Sequence, residues 1–154
     1  MNVPRRQPGT PKRERPVDDT VLSERALLAM PDDAYMNPEQ LAHFRARLIR
    51  MRSELLLQAD ATKAHLRENE PLADPSDRAT VEEENLLEQR VRDRERKHLR
   101  KIEAALSRID KGSYGYCLET GEPIGLNRLL ARPTAEYCLE IQEAHERREL
   151  LNGH

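Results

Sequence analysis

From Leu41 onward the apolar positions are Leu41, Phe44, Leu48, Met51 and Leu55, at steps of 3, 4, 3 and 4. On a helix these five fall on one narrow stripe, the a/d seam of a coiled coil. Carried further, the same register reaches Gln58, Thr62 and His65, so the stripe turns polar. No Gly or Pro interrupts it before Pro71. Upstream, Asn37-Pro38-Glu39-Gln40 reads as a helix start. Asn37 suits the N-cap, Pro38 the first helical position, and Gln40 stands three residues after the cap. A second stripe, Leu99, Ile102, Leu106 and Ile109, again steps 3, 4 and 3, and extended backwards it meets Glu95 and Arg92. It predicts a second helix from near Asp77 to about Asp110, with residues 71–77, rich in Pro and Asp, as the turn before it. Both stripes are apolar away from that turn and polar toward it. They match only if the helices fold back antiparallel, with 41–55 beside 99–109. Arms of about 30 residues at 1.5 Å per residue make a rod of roughly 45 Å.

Outside the rod the pattern is weaker. Residues 1–19 hold Pro4, Pro8, Pro11 and Pro16 with almost nothing apolar, and read as a flexible tail. Residues 20–33 can form a short helix burying Leu22, Leu27 and Leu28, stopped by Pro31-Asp32-Asp33. Lys111-Gly112 closes the second long helix with a glycine. Residues 112–133, with Gly112, Gly115, Gly121 and Gly125, read as turns and very short strands. A final helix is expected at about 134–151, with Ala135, Leu139, Ile141, Leu150 and Leu151 available for packing. The expected fold is mainly α: a long antiparallel coiled-coil hairpin over 34–110, and a small degenerate zinc-ribbon-like module with a C-terminal helix over 111–154.

Composition agrees with a rod. Of 154 residues, 35% are charged and 37% hydrophobic, with no Trp and one Phe, too few large apolar groups to fill a globular core along the whole length. No run of 18 apolar residues exists to span a membrane, and no apolar stretch behind Met1 marks a secretory signal. A cytoplasmic location is expected. The net charge of −2 conceals segregation. Residues 1–16 carry Arg5, Arg6, Lys12, Arg13 and Arg15 against Glu14, a net of +4. Residues 68–84 carry seven carboxylates against Arg78, a net of −6, and residues 90–101 seven cations against Asp93 and Glu95, a net of +5. The rod therefore has an acidic tip near 71–79.

Cys117-Leu-Glu-Thr120 and Cys138-Leu-Glu-Ile141 have the spacing of a zinc ribbon, C-x₂-C-x₁₇-C-x₂-C, with Thr120 and Ile141 in place of two cysteines. A structural zinc needs four ligands from Cys, His or carboxylate, and Ile141 cannot be one. His145, one turn later, still leaves the set a ligand short. The expectation is a ribbon-shaped pocket packed around Ile141, with two reduced thiols and no metal. A disulfide requires the knuckles to meet, and nothing points to an oxidising compartment. At the tip, Asp74 and Asp77 have a plain reading as turn and cap residues. They also suit a probe of a cationic or metal-bearing site, and Ala79 leaves room for close approach. The basic run 90–101 reads first as a solvated face pairing with Glu83, Glu88 and Glu95. As a phosphate site it would need a further cation, and Arg132 is the obvious supply.

Five stretches carry a resemblance. They are 35–44 (Tyr35-Met36-Asn37-Pro38 through Phe44), Asp74-Pro75-Ser76-Asp77-Arg78-Ala79 with the acidic 80–84, Arg92-Asp93-Arg94-Glu95-Arg96-Lys97, Tyr114-Gly115-Tyr116-Cys117, and Ala131-Arg132-Pro133-Thr134-Ala135. In order, over about 34–150, they resemble the DksA family of bacterial RNA polymerase regulators. The resemblance implies a non-enzymatic, monomeric protein that inserts its coiled coil into the secondary channel of RNA polymerase without binding DNA. Asp74, Asp77 and Ala79 would then reach the vicinity of the polymerase active site. Promoter open complexes would be destabilised, lowering ribosomal RNA transcription and raising some amino-acid biosynthetic promoters. Guanosine tetraphosphate would act as effector, bound between the regulator and the polymerase rim. Lys101 and Arg132 match family positions that contact this nucleotide. Gln142 stands where the family usually has Lys, and His98 where it usually has Leu, both at the same site. The Lys→Gln change removes a charge-assisted bond of about 1.5–3 kcal/mol. Thr120 and Ile141 break the four-Cys pattern, as in a zinc-independent branch. Two other readings of the rod stand beside this one. One is a Gre-like transcript-cleavage factor whose tip carboxylates hold Mg²⁺; the other is a structural coiled-coil adaptor.

Overall fold

In the computed structural model, which describes residues 22–68 and 75–153 (backbone alone at 65–68 and 75–77), the Asn37 cap forms as expected. Its Oδ1 accepts from the Gln40 backbone N–H at 2.8 Å, and the Gln40 Oε1 accepts from the Met36 N–H at 2.8 Å. This reciprocal pair satisfies donors that a helix start leaves open. It is also buried, Gln40 being 1% exposed. Helix α2 then runs Pro38–Glu68. Before it come the short helix α1, Glu24–Leu28, capped by Ser23, and a single 3₁₀ turn, Asp32–Ala34. Helix α3 runs Pro75–Lys111, starting two residues earlier than expected, with Pro75 in the first helical position. The tail at 1–19 and the turn residues 69–74 lie outside the described residues.

Helices α2 and α3 pair antiparallel. At the base Phe44 and Leu48 on α2, and Ile102 and Ala105 on α3, are fully buried, with Leu55 close behind. Leu41, Met51, Leu99, Leu106 and Ile109 pack against them. An Arg45–Asp110 ion pair at 2.5 Å joins the start of α2 to the end of α3. Both partners are more than half exposed, so it marks register and adds little stability. Toward the tip, Ala61 and Thr62 face Leu87, Glu88 and Val91 across a shallow groove. The polar part of the seam is imperfectly satisfied: Arg92 Nε and Glu95 Oε2 are buried without a hydrogen-bond partner among the described residues.

The module at the base closes around Tyr114, 1% exposed, whose hydroxyl donates to the Pro133 carbonyl at 2.7 Å. Tyr35 bridges two turns: its hydroxyl donates to the Gly115 carbonyl at 2.6 Å and accepts from the Gly125 N–H at 2.9 Å. Burial raises both phenols above their ordinary pKa. Gly115 has φ +88°, and a Cβ there would stand 2.8 Å from Met36 Cγ and Sδ, so the close approach requires glycine. His43, buried, places Nδ1 2.7 Å from the Leu22 carbonyl and so holds the start of α1.

Four expectations for the flanks need correction. Leu27 is fully buried but Leu28 is 46% exposed, because neighbours on a one-turn helix point about 100° apart. The very short strands reduce, among the described residues, to one antiparallel bridge, Tyr116 with Pro123. A six-residue helix, α4, occupies Leu126–Ala131. The last helix, α5, starts only at Leu139 and ends at Asn152. The Glu136 carbonyl accepts from the Leu118 N–H at 2.9 Å, and this cross-chain bond holds the segment before Leu139 out of the helix. Nor do the leucines of α5 pack: Leu139, Leu150 and Leu151 are 56%, 75% and 80% exposed, while Ile141 does lean on the core.

Candidate functional site

Three elements converge on one cleft of about 210 Å³. Helix α3 brings Lys101, α4 and its C-cap bring Arg128 and Arg132, and α5 brings Gln142 and His145. Of the residues expected at a nucleotide site, Lys101, Arg132 and Gln142 therefore meet. His98, exposed one turn before Lys101, is not among the lining residues. Arg128, Tyr137 and His145 join the cleft without having been expected there. Arg128 could be anticipated only by knowing that 126–131 is helical, which places it one turn before Arg132. Its Nε donates to the Tyr137 carbonyl at 3.0 Å, which fixes the guanidinium plane. The Gln142 amide donates to the Glu146 carboxylate at 3.0 Å. Three cations lining one cleft, Arg128 among them held in place, suit a polyanion, since guanidinium and ammonium groups make charge-assisted bonds to phosphate oxygens.

Behind the cleft the two cysteine knuckles do meet. Burial acts to raise the Cys117 thiol. Hydrogen bonds from the Thr120 hydroxyl and from the backbone N–H groups of Cys138, Thr120 and Glu119 overcome it, bringing the thiol down to about 6. Both cysteines are free thiols. Thr120 thus stands as a donor to sulfur, and Ile141 is part of the apolar packing. Among the described residues no group of three or more His, Cys, Asp or Glu is placed to hold an ion. The donor set does not fit a tetrahedral zinc, because two thiolates face a hydroxyl and a hydrocarbon.

At the far end of the rod, Ala79 is exposed on α3 and Asp77 lies in its first turn, its side chain outside the described residues, as is all of Asp74. The distal arms carry a feature the seam pattern did not reveal. Leu56, Leu57, Leu86, Leu87 and Val91 are 43–70% exposed.

Residues 40–109 match the family described as DnaK suppressor protein DksA, N-terminal domain, and residues 112–147 match the prokaryotic dksA/traR C4-type zinc finger. A Caulobacter vibrioides protein named RNA polymerase-binding transcription factor DksA is 50% identical over 135 residues, covering 86% of this chain and 95% of its own. The chain belongs to the DksA family. The Escherichia coli K12 DksA is 45% identical over 120 residues, covering 77% of this chain and 80% of its own. Among solved structures, transcription factor DksA2 from Pseudomonas aeruginosa superposes with a TM-score of 0.76 at 47% identity, over 82% of this chain and 98% of that one. The hairpin and module are thus those of a DksA protein, and the C4-type finger is present as a fold with two of its four cysteines replaced. Among the described residues no helix is long and apolar enough to cross a membrane.

Proposed function

We propose that this protein is a non-enzymatic transcription factor that binds RNA polymerase, inserting its hairpin into the secondary channel without contacting DNA. There it destabilises promoter open complexes, repressing ribosomal RNA promoters and favouring amino-acid biosynthetic ones. The observation that carries the reading is the 50% identity to a DksA named as RNA polymerase-binding, spanning 95% of that relative. Asp74, Asp77 and Ala79 act at the tip. Guanosine tetraphosphate binds in the cationic cleft of Lys101, Arg128 and Arg132, with Gln142 at its edge and His98 beside it. A cleft of about 210 Å³ is smaller than pockets that enclose a whole ligand, roughly 300–1,000 Å³. It takes the phosphate end, and the polymerase surface covers the rest.

The test is a ribosomal promoter assay with purified polymerase, with and without guanosine tetraphosphate. Asp74→Asn combined with Asp77→Asn should lose inhibition while still co-purifying with polymerase. Lys101→Ala or Arg132→Ala should lose most of the increment that the nucleotide adds. Full inhibition by the tip variant, or transcript cleavage in backtracked complexes, would refute the proposed mode of action.

A further inference from the structure

We propose that His145 is a further phosphate-binding residue of the cleft, acting as an imidazolium, so that nucleotide binding is linked to protonation of this ring. The inference rests on the reading of the cleft as the guanosine tetraphosphate site. The His145 Nε2 stands 2.5 Å from Glu119 Oε1 in the first knuckle. A carboxylate only accepts, so Nε2 carries the proton. The Tyr137 ring packs against the imidazole at a centroid distance of 4.7 Å and 55°, fixing its plane. The side chain is 30% exposed and lines the cleft, and Nδ1 has no hydrogen-bond partner among the described residues. The ring is held at one nitrogen and open at the other.

That arrangement decides which form of the ring can bind phosphate. With Nε2 committed to Glu119, the neutral ring has a lone pair at Nδ1 and would repel a phosphate oxygen. Only the imidazolium offers an N–H there, with charge-assisted bonds at both nitrogens, carboxylate on one side and phosphate on the other. One turn earlier, one of the two Gln142 amide N–H groups is donating to Glu146, and the amide carries no charge, so His145 is the cleft side chain on α5 that can offer a charge-assisted bond. The surrounding charges come from every element of the cleft. Lys101 on α3, Arg128 on α4 and Arg132 at its C-cap line the cleft with the ring. Glu119 contacts the ring, and Glu136 and Glu149 line the cleft, Glu136 being shared with Arg108 at 3.7 Å. Binding of anion and proton is therefore coupled.

Isothermal titration of guanosine tetraphosphate into the complex of the full chain with RNA polymerase, with polymerase alone as blank, tests this. Runs at one pH in buffers of different ionisation enthalpy count the protons taken up. His145→Gln should bind about tenfold more weakly, the loss of one charge-assisted bond, with proton uptake reduced by up to one. His145→Lys should recover the affinity without recovering the uptake. Wild-type affinity and uptake in His145→Gln, with binding still lost in Arg132→Ala, would overturn the inference and leave the cleft reading standing. Equal loss in the Gln and Lys variants would reduce His145 to a structural prop and also overturn it. No nucleotide binding by wild type, or full binding by both Lys101→Ala and Arg132→Ala, would remove the cleft reading itself.

Discussion

In the half-replaced ribbon Cys117 keeps hydrogen bonds of the kind that support a ligand thiolate, while Thr120 and Ile141 stand where two further cysteines would. The N–H groups of Glu119, Thr120 and Cys138, with the Thr120 hydroxyl, favour the thiolate and bring the thiol down to about 6. In the unfolded chain a thiol titrates near its ordinary value of about 8.5. A folded-state pKa below the unfolded one makes folding more favourable at high pH. The contribution is complete above about 8.5 and vanishes as pH falls through about 6. The melting temperature should therefore rise between these pH values, and Cys117→Ser should flatten the rise. Thr120→Val, which removes the hydroxyl donor, should flatten it in part. The sequence exposed the candidate positions through their 2–17–2 spacing. It did not reveal that Thr120 would turn its hydroxyl to sulfur, because that depends on how the knuckle closes.

Among the elements, the long helices were the most legible. Steps of 3 and 4 over 41–55 and 99–109 demand one helix face each, and those residues make up the observed seam. The start of α2 was legible to the residue, since Asn37 and Gln40 are chemically matched to a helix end. Here the cap is also part of the core, with Gln40 1% exposed. Asn37→Ala should cost about 1–2 kcal/mol, measured from the urea midpoint at unchanged m-value, at the upper part of the range for caps. The short elements were less legible. At 126–131 six residues give too few turns for a period to appear, and the glycines around them suggested only loop. At 134–138 the pattern allowed helix, and a cross-chain hydrogen bond to Leu118 prevented it. The expected packing of Leu139, Leu150 and Leu151 on α5 does not occur, since a periodicity does not say which faces a neighbour will cover.

For the molecule as a whole, the base module must be held by packing if its donor set does not take up zinc. In a four-Cys ribbon the binding free energy of zinc is folding free energy. Here Tyr114, Leu129 and Phe44 are buried together, and the Tyr114 and Tyr35 hydroxyls tie the turns through 2.6–2.9 Å bonds to backbone groups. Chelator treatment should leave the thermal transition and the promoter effect unchanged. Elemental analysis of purified protein should give well under one zinc per chain. Stoichiometric zinc, lost along with the fold in Cys117→Ser, would contradict this.

The sequence by itself determined the hairpin, its antiparallel sense and the family, because each follows from local spacing and from residues adjacent in the chain. Lys101 and Arg132 were identified by matching positions one at a time. Only the tertiary structure decided that they share a cleft with Arg128, Gln142 and His145, and that Glu119 holds one nitrogen of His145. Those residues are spread along the chain from Lys101 to His145, on three helices and a knuckle. Local preference fixes each helix, but the distance between side chains on different helices is set by packing at the base, where Tyr114, Leu129 and Ile102 fill the space between them.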